Sequence, residues 1–176
     1  MSATSEPLAI REHGSVVRVL MAGALVGILD MLYPIVLYAF VLHKVPAIRI
    51  PQSVAAGLLG RAAYQGGAAT AALGLLLHFT IACGWATLYF IVSRRWEPLR
   101  RLTLTTDGRV KTGIALGVFI WLAMNFVVLP LSRATPTPLL SLNFLLQLVW
   151  HPVGVGLPIA LLVREDVAQG YSNRAE

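Results

Sequence analysis

Four polar side chains, one in the middle of each long apolar run of the sequence, are the residues best suited to chemistry. They are Asp30, His78, Asn125 and His151. At a rise of about 1.5 Å per residue, each lies roughly 18–21 Å from the same end of the predicted bundle. A central acid costs about 2.5–3.5 kcal/mol to insert into a bilayer, so it should face other helices and have a partner. The matching depths predict a polar cluster near mid-membrane.

The last apolar run carries a second set of polar residues. Asn143 and Gln147 precede His151 at intervals of four, which places all three on one helix face. Hydrogen bonding between helices is the simpler interpretation of the amides, including Asn125. For Asp30 the functional interpretation leads, because an acid inside a membrane helix is by default a functional residue.

Three functions remain open for these residues. In the first, small-solute or proton-linked transport, Asp30 is the protonatable site and His78 or His151 is a proton relay. In the second, the chain is a structural or accessory subunit of a larger membrane complex, and the polar cluster only joins helices. In the third, His78 and His151 are the axial ligands of a b-type haem.

Other chemistries find no support in the sequence. It contains no phosphate-binding glycine loop, no nucleophile elbow and no HExxH motif, and one cysteine with four histidines does not match a closed zinc site of common spacing. We therefore predict no metal, no catalytic residue and, apart from the haem alternative, no cofactor. An enzyme is the less favoured interpretation.

The composition indicates which elements hold the polar residues. Of the 176 residues, 57% are hydrophobic and only 12% are charged, and the mean hydropathy is +0.73. A soluble domain carries about 25% charged residues. The composition therefore excludes a soluble enzyme and a disordered chain, and the lone Cys83 excludes an internal disulfide. An integral membrane protein is the class that remains.

Four apolar runs, 16–42, 68–92, 113–131 and 139–163, have the length of about 20 residues that a membrane-spanning helix needs. They predict an all-α fold, a polytopic membrane four-helix bundle with one transmembrane domain over residues 16–163. Residues 1–15 are predicted to be a cytoplasmic segment and 164–176 a cytoplasmic tail. A polar loop with a turn at Asp107-Gly108 is expected over Thr103–Thr112. Two small-xxx-small motifs favour close helix packing: Gly23 with Gly27, and Gly113 with Gly117.

A short extra helix is predicted between the first two spans. Ser53 can cap it, apolar residues follow at helical spacing, and Gly66-Gly67 ends it. At about 20 Å it is too short to span. It either lies at the membrane interface, which a basic residue at Arg61 favours, or forms a re-entrant segment lining a cavity.

Basic residues set the expected orientation. Ten of the 14 lysines and arginines flank the side that carries both termini and the connection between spans 2 and 3. The positive-inside rule therefore predicts cytoplasmic termini in a cell inner membrane. The net charge of +6 is assigned to loops that contact anionic lipid, the expected partner. We expect no nucleic-acid binding, and a homodimer or a larger membrane complex is the expected assembly.

Four segments of the sequence carry a resemblance: GILDMLYP, AAGLLGRAAYQGGAATAALGLLLHF, VVLPLS and HPVGVGLPIAL. They lie between Gly27 and Leu162, most of the chain. In these segments the chain resembles a group of small bacterial inner-membrane proteins with four spans and no assigned activity. The resemblance implies the architecture and adds no catalytic residue.

Overall fold

The computed structural model of the protein describes residues 8–136 and 138–163. Within these ranges the chain is helical and contains no strand. Four helices are long and apolar enough to cross a membrane, which confirms the predicted all-α bundle. We name them spans 1 to 4: Gly14–Val41, Gly67–Arg95, Thr106–Leu131 and Leu142–Leu162. The chain is a multi-pass integral membrane protein.

Three of the four spans contain a π-helical segment. Span 1 consists of α1 (Leu8–Pro34) from Gly14 onward and the π-helical Ile35–Val41. The two-part connection α2 (Arg49–Leu59) and 3₁₀ segment Gly60–Gln65 leads to span 2, which is the continuous α3 (Gly67–Arg95). The short α4 (Glu97–Leu102) precedes span 3, made of α5 (Thr106–Ala123), the π-helical Met124–Val128 and α6 (Leu129–Leu131). Span 4 consists of α7 (Leu142–Trp150), the π-helical His151–Gly156 and α8 (Leu157–Leu162).

Prolines account for two of the π-helical segments. Pro34 ends the regular α1, and Pro152 is the second residue of the segment in span 4. Proline lacks the amide hydrogen that the α-helical pattern needs, so hydrogen bonds one residue longer replace the interrupted ones. Such π-helical segments occur frequently at functional sites.

Span 3 begins earlier than the sequence pattern indicated. The expected loop over Thr103–Thr112 with a turn at Asp107-Gly108 is wrong, because the helix starts at Thr106. The Thr105 hydroxyl caps it by accepting a hydrogen bond of 3.0 Å from the amide of Gly108. Asp107 then lies in the first turn, where the helix dipole favours an acid. Polar capping residues were thus mistaken for a loop.

Other boundaries shift as well. Span 4 begins at Leu142 rather than residue 139, because the Ser141 hydroxyl accepts a hydrogen bond of 3.2 Å from the amide of Phe144. The helix α2 begins at Arg49, so the expected cap at Ser53 is wrong. Ser53 lies within the helix, and its hydroxyl donates to the carbonyl of Ile50 at 2.7 Å. Residues 1–7 and the predicted tail 164–176 lie outside the described residues.

The four spans pack in the order 2, 1, 4, 3, and glycines permit close contacts between neighbours. A methyl group at Gly23 would lie 2.7 Å from the Cα of Cys83, so spans 1 and 2 touch there through their backbones. A methyl group at Gly113 would lie 2.9 Å from the Cα of Leu157, and one at Gly117 would overlap Pro152. Both predicted glycine motifs are confirmed as sites of close packing, and both act within one chain.

Apolar packing fills one half of the bundle. The core includes Val26, Ala82, Ile120, Val155 and Ile159, contributed by all four spans. We call the end of the bundle beside α4 the α4 end and the opposite end, beside α2, the α2 end. The core lies toward the α4 end. At the α2 end the space between the spans is covered by α2 and by Ser132, Ala134 and Thr135, which follow span 3.

The connection α2 is fixed to the start of span 2. Gln52 is 2% exposed, and its Nε2 donates to the carbonyl of Gly67 at 3.0 Å and to the hydroxyl of Thr70 at 3.2 Å. Gly74 leaves room for the carbonyl of Pro51, which a methyl group there would overlap. From α2 the carbonyl of Gly57 accepts a hydrogen bond of 2.9 Å from the amide of Arg133. α2 therefore ties the second span to the third connection.

Candidate functional site: a polar cavity at the α2 end

A cavity of about 550 Å³ lies between the four spans in the half of the bundle nearest α2. Its floor is formed by core residues, among them Val26, Ala82 and Ile120, and its cover by α2 residues such as Ser53 and Gly57. The lining extends to the exposed Thr135, so the cavity reaches the surface at the α2 end.

All six polar residues singled out in the sequence line this cavity. They come from all four spans: Asp30, His78, Asn125, Asn143, Gln147 and His151. They meet in one cavity because each side chain lies on the face of its span that points into the bundle. Among the described residues no hydrogen bond joins Asp30 to either histidine. The residues share a cavity rather than a direct network.

Asp30 is bound by a tryptophan that the sequence analysis did not single out. The indole Nε1 of Trp150 donates to Oδ1 of Asp30 at 3.1 Å. The indole stacks on Tyr33, with ring centroids 4.6 Å apart and planes 10° from parallel. This pair joins spans 1 and 4 and fixes one carboxylate oxygen. The other oxygen, Oδ2, accepts no hydrogen bond from the described residues.

The two histidines are each anchored to a backbone carbonyl. Nε2 of His78 lies 3.0 Å from the carbonyl oxygen of Gly27 on span 1. Nδ1 of His151 lies 2.8 Å from the carbonyl oxygen of Gln147, one turn earlier in span 4. A carbonyl can only accept, so in each neutral ring the bonded nitrogen carries the hydrogen and the other nitrogen is an acceptor.

The amides form two separate arrangements. Nδ2 of Asn125 donates to the carbonyl of Trp121 at 2.9 Å, within the same span. Oδ1 of Asn143 accepts from the Tyr38 hydroxyl and, at 3.1 Å, from Nε2 of Gln147. The second arrangement joins spans 1 and 4 above Asp30, on the side toward the α2 end.

The cavity carries a single formal charge. Asp30 is the only acid in its lining, and no lysine or arginine contributes to it. Arg49 contacts the lining residue Tyr64, but its guanidinium lies over the Tyr64 ring, 5.2 Å from the centroid, and does not line the cavity.

The geometry gives little support to a bound metal or haem. No group of three or more metal-ligating residues occurs in the described part of the chain. Nε2 of His78, the nitrogen that most often binds haem iron, is occupied by the carbonyl of Gly27. Axial ligation by His78 and His151 would require that hydrogen bond to break or Nδ1 to ligate.

Sequence reasoning missed the aromatic partners of the cluster. Tyr38 lies eight residues after Asp30 and therefore on the same helix face, so its spacing was an available signal. Trp150 precedes His151, and a buried indole usually needs an acceptor, but nothing in the spacing pointed to Asp30 on a helix 120 positions away.

Comparison of the chain with protein-family models, curated proteins and solved structures finds no match.

Proposed function

We propose that this protein is a small proton-linked membrane carrier that holds a polar solute in the cavity at its α2 end. One observation supports this most: six polar residues from four spans line a single cavity of about 550 Å³. Ligand sites are commonly cavities of roughly 300–1,000 Å³ with a few convergent polar groups. Polar residues that only join helices need a partner across the contact and no cavity.

Each polar residue has a role in this proposal. Asp30 is the protonatable site, since one of its oxygens is held by Trp150 while the other is left for solute or water. His78 or His151 is the relay that passes protons between Asp30 and the cavity opening. Asn125 and the Asn143–Gln147 pair contribute polar contacts to the solute.

Three contacts favour the accessory-subunit alternative. The His78 side chain on span 2 bonds the Gly27 carbonyl on span 1. The hydrogen bonds of Trp150 with Asp30 and of Tyr38 with Asn143 join spans 1 and 4, as residues that only connect helices would. If the whole cluster has this structural role, replacing Asp30 changes stability and no activity. A measurement of proton movement across the membrane therefore distinguishes a carrier from an accessory subunit.

The test uses purified protein in liposomes that enclose a pH-sensitive dye. A panel of small amines, neutral polar solutes and organic acids is added outside while internal pH is followed. We expect at least one class to move protons in wild type and not in Asp30→Asn. Asp107→Asn is the matched control, because Asp107 is an exposed acid paired with Lys111 at 2.7 Å, far from the cavity. If no solute class moves protons through the folded wild type, the accessory-subunit function is favoured instead.

A further inference from the structure

We infer that the solute of this cavity is a small organic cation with an ammonium group. This inference rests on the proposed function and names the chemical class of its substrate. Three features of the cavity support it: the sign of its charge, the hydrogen-bond acceptors of its lining and its aromatic wall.

The charge favours a cation. Asp30 supplies the only formal charge of the lining, and its Oδ2 accepts no hydrogen bond from the described residues. An ammonium group would neutralise this carboxylate, and a charge-assisted hydrogen bond is about twice as strong as a neutral one. An anion would meet the same carboxylate as a repulsive charge.

The histidines leave acceptors available. His78 uses the hydrogen on Nε2 for the carbonyl of Gly27, which leaves Nδ1 as an acceptor. His151 uses the hydrogen on Nδ1 for the carbonyl of Gln147, which leaves Nε2 as an acceptor.

Three hydroxyl groups of the lining have also used their only donor. Ser53 donates to the carbonyl of Ile50 at 2.7 Å, and Ser132 to the carbonyl of Leu129 at 2.9 Å. Tyr38 donates to Asn143. A hydroxyl that has donated can still accept. Together with the histidine nitrogens, these oxygens can accept hydrogen bonds from a ligand that brings its own N–H groups.

Size and aromatic content favour an organic ammonium over a bare metal ion. The cavity of about 550 Å³ is far larger than an ion with its ligands, and the described residues contain no group of metal ligands. Tyr33, Tyr38 and Trp85 belong to its lining. Aromatic rings attract ammonium groups through their electron-rich faces.

The experiment compares three probes that share a phenol ring and differ in the head group. Tyramine carries an ammonium, tyrosol a neutral hydroxyl and para-hydroxyphenylacetate a carboxylate. Binding to the detergent-purified protein is measured by calorimetry against a detergent blank. We expect tyramine to bind at least about tenfold more tightly than tyrosol, because losing a buried charge pair costs at least this factor. The carboxylate should bind weakest.

Variants test whether tyramine binds at Asp30. Asp30→Asn should weaken tyramine at least about tenfold and leave tyrosol unchanged, whereas Asp107→Asn should leave both unchanged. Equal binding of all three head groups, tightest binding of the carboxylate, or no binding of tyramine overturns the inference. The comparison of head groups uses the native chain alone, so it decides even if Asp30→Asn does not fold.

The two proposals fail in different ways. If tyrosol or para-hydroxyphenylacetate moves protons in liposomes and tyramine does not bind, the carrier function stands and the cation class is overturned. If tyramine binds through Asp30 but no solute moves protons, the cation site stands and the carrier function is overturned.

Discussion

At the scale of single residues, the two carboxylate oxygens of Asp30 differ in their hydrogen bonds. Trp150 donates to Oδ1, and no described residue donates to Oδ2. The sequence predicted that Asp30 lies inside the bundle, since an acid facing lipid is too costly. It did not predict the partner, because an indole on a different span gives no periodic signal. The histidines, expected as partners, bond backbone carbonyls instead.

Asp30→Asn and Asp30→Leu should differ in stability. Asparagine keeps an oxygen that accepts from Trp150, so the melting temperature in detergent should stay close to that of wild type. Leucine leaves the part-buried indole N–H without its acceptor, at a cost of about 1–3 kcal/mol. Leucine should still insert, because it removes the insertion cost of an acid. Thermal unfolding in detergent measures both variants, and equal loss in the two would show that the charge, not the hydrogen bond, stabilises the fold.

At the scale of elements, glycines decide where spans meet. The sequence identified Gly113 and Gly117 as a packing motif. The structure adds their partner, the π-helical middle of span 4 and the start of α8. The partner was not predictable from the sequence, since the glycine motif could have packed against any helix face of small residues. Helix starts were predicted less well, because polar residues such as Thr105 and Asp107 serve equally in loops and in caps.

Gly117→Ala should destabilise the contact between spans 3 and 4. The added methyl would overlap the backbone of His151 and Pro152, and such overpacking costs about 1–3 kcal/mol. Gly84→Ala is the matched control, because a methyl there meets no atom within 4 Å, and alanine is the better helix former. Melting temperatures in one detergent compare the pair. A loss in Gly84→Ala as large as that in Gly117→Ala would contradict the packing described.

The helix α4 carries an ion-pair cluster whose stability contribution depends on pH. Hydrogen bonds from Arg100 and Arg101, at 2.7 and 2.8 Å, lower the pKa of Glu97 from 4.5 to about 2. A lowered folded pKa stabilises the fold fully above the unfolded value, and this contribution is lost as pH falls toward the folded value.

The difference in melting temperature between wild type and Glu97→Gln should therefore decrease in acid. The melting temperature of wild type should exceed that of the variant by a small, constant amount at neutral pH, because exposed pairs contribute little. The difference should shrink once the pH drops below about 4.5. Melting curves from neutral pH to about pH 3 check this. A difference that grows in acid would contradict the assignment.

At the scale of the whole molecule, the bundle is tight at the α4 end and hollow at the α2 end. The four spans were predictable from length and hydropathy, since nothing but a helix satisfies its own backbone across lipid. The sequence allowed a cavity lined by the extra helix, but its position and size were not predictable, because they depend on how α2 and Ser132 lie over the spans. Both glycine motifs pack against other spans of the same chain. A homodimer would therefore have to form through a different face of the bundle.

Orientation is a separate prediction. The excess of basic residues around α4 and the termini predicts that this side is cytoplasmic. Reporter fusions at Glu176 and after Pro136 should report opposite sides, with Glu176 inside. A reporter at Glu176 that is active outside the cytoplasm would reverse the orientation, and the cavity would then open inward.

Whether the cavity is filled with water tests the central claim most directly. In a Cys83→Ala background, Gln147→Cys places a thiol in the cavity, and Val149→Cys places one at a position 69% exposed on the bundle surface that faces lipid. A membrane-impermeant thiol reagent, applied outside intact cells, should modify Gln147→Cys and leave Val149→Cys unmodified, because thiols in lipid do not ionise. Failure of Gln147→Cys to react from either side of the membrane would show a dry polar cluster and contradict a solute site.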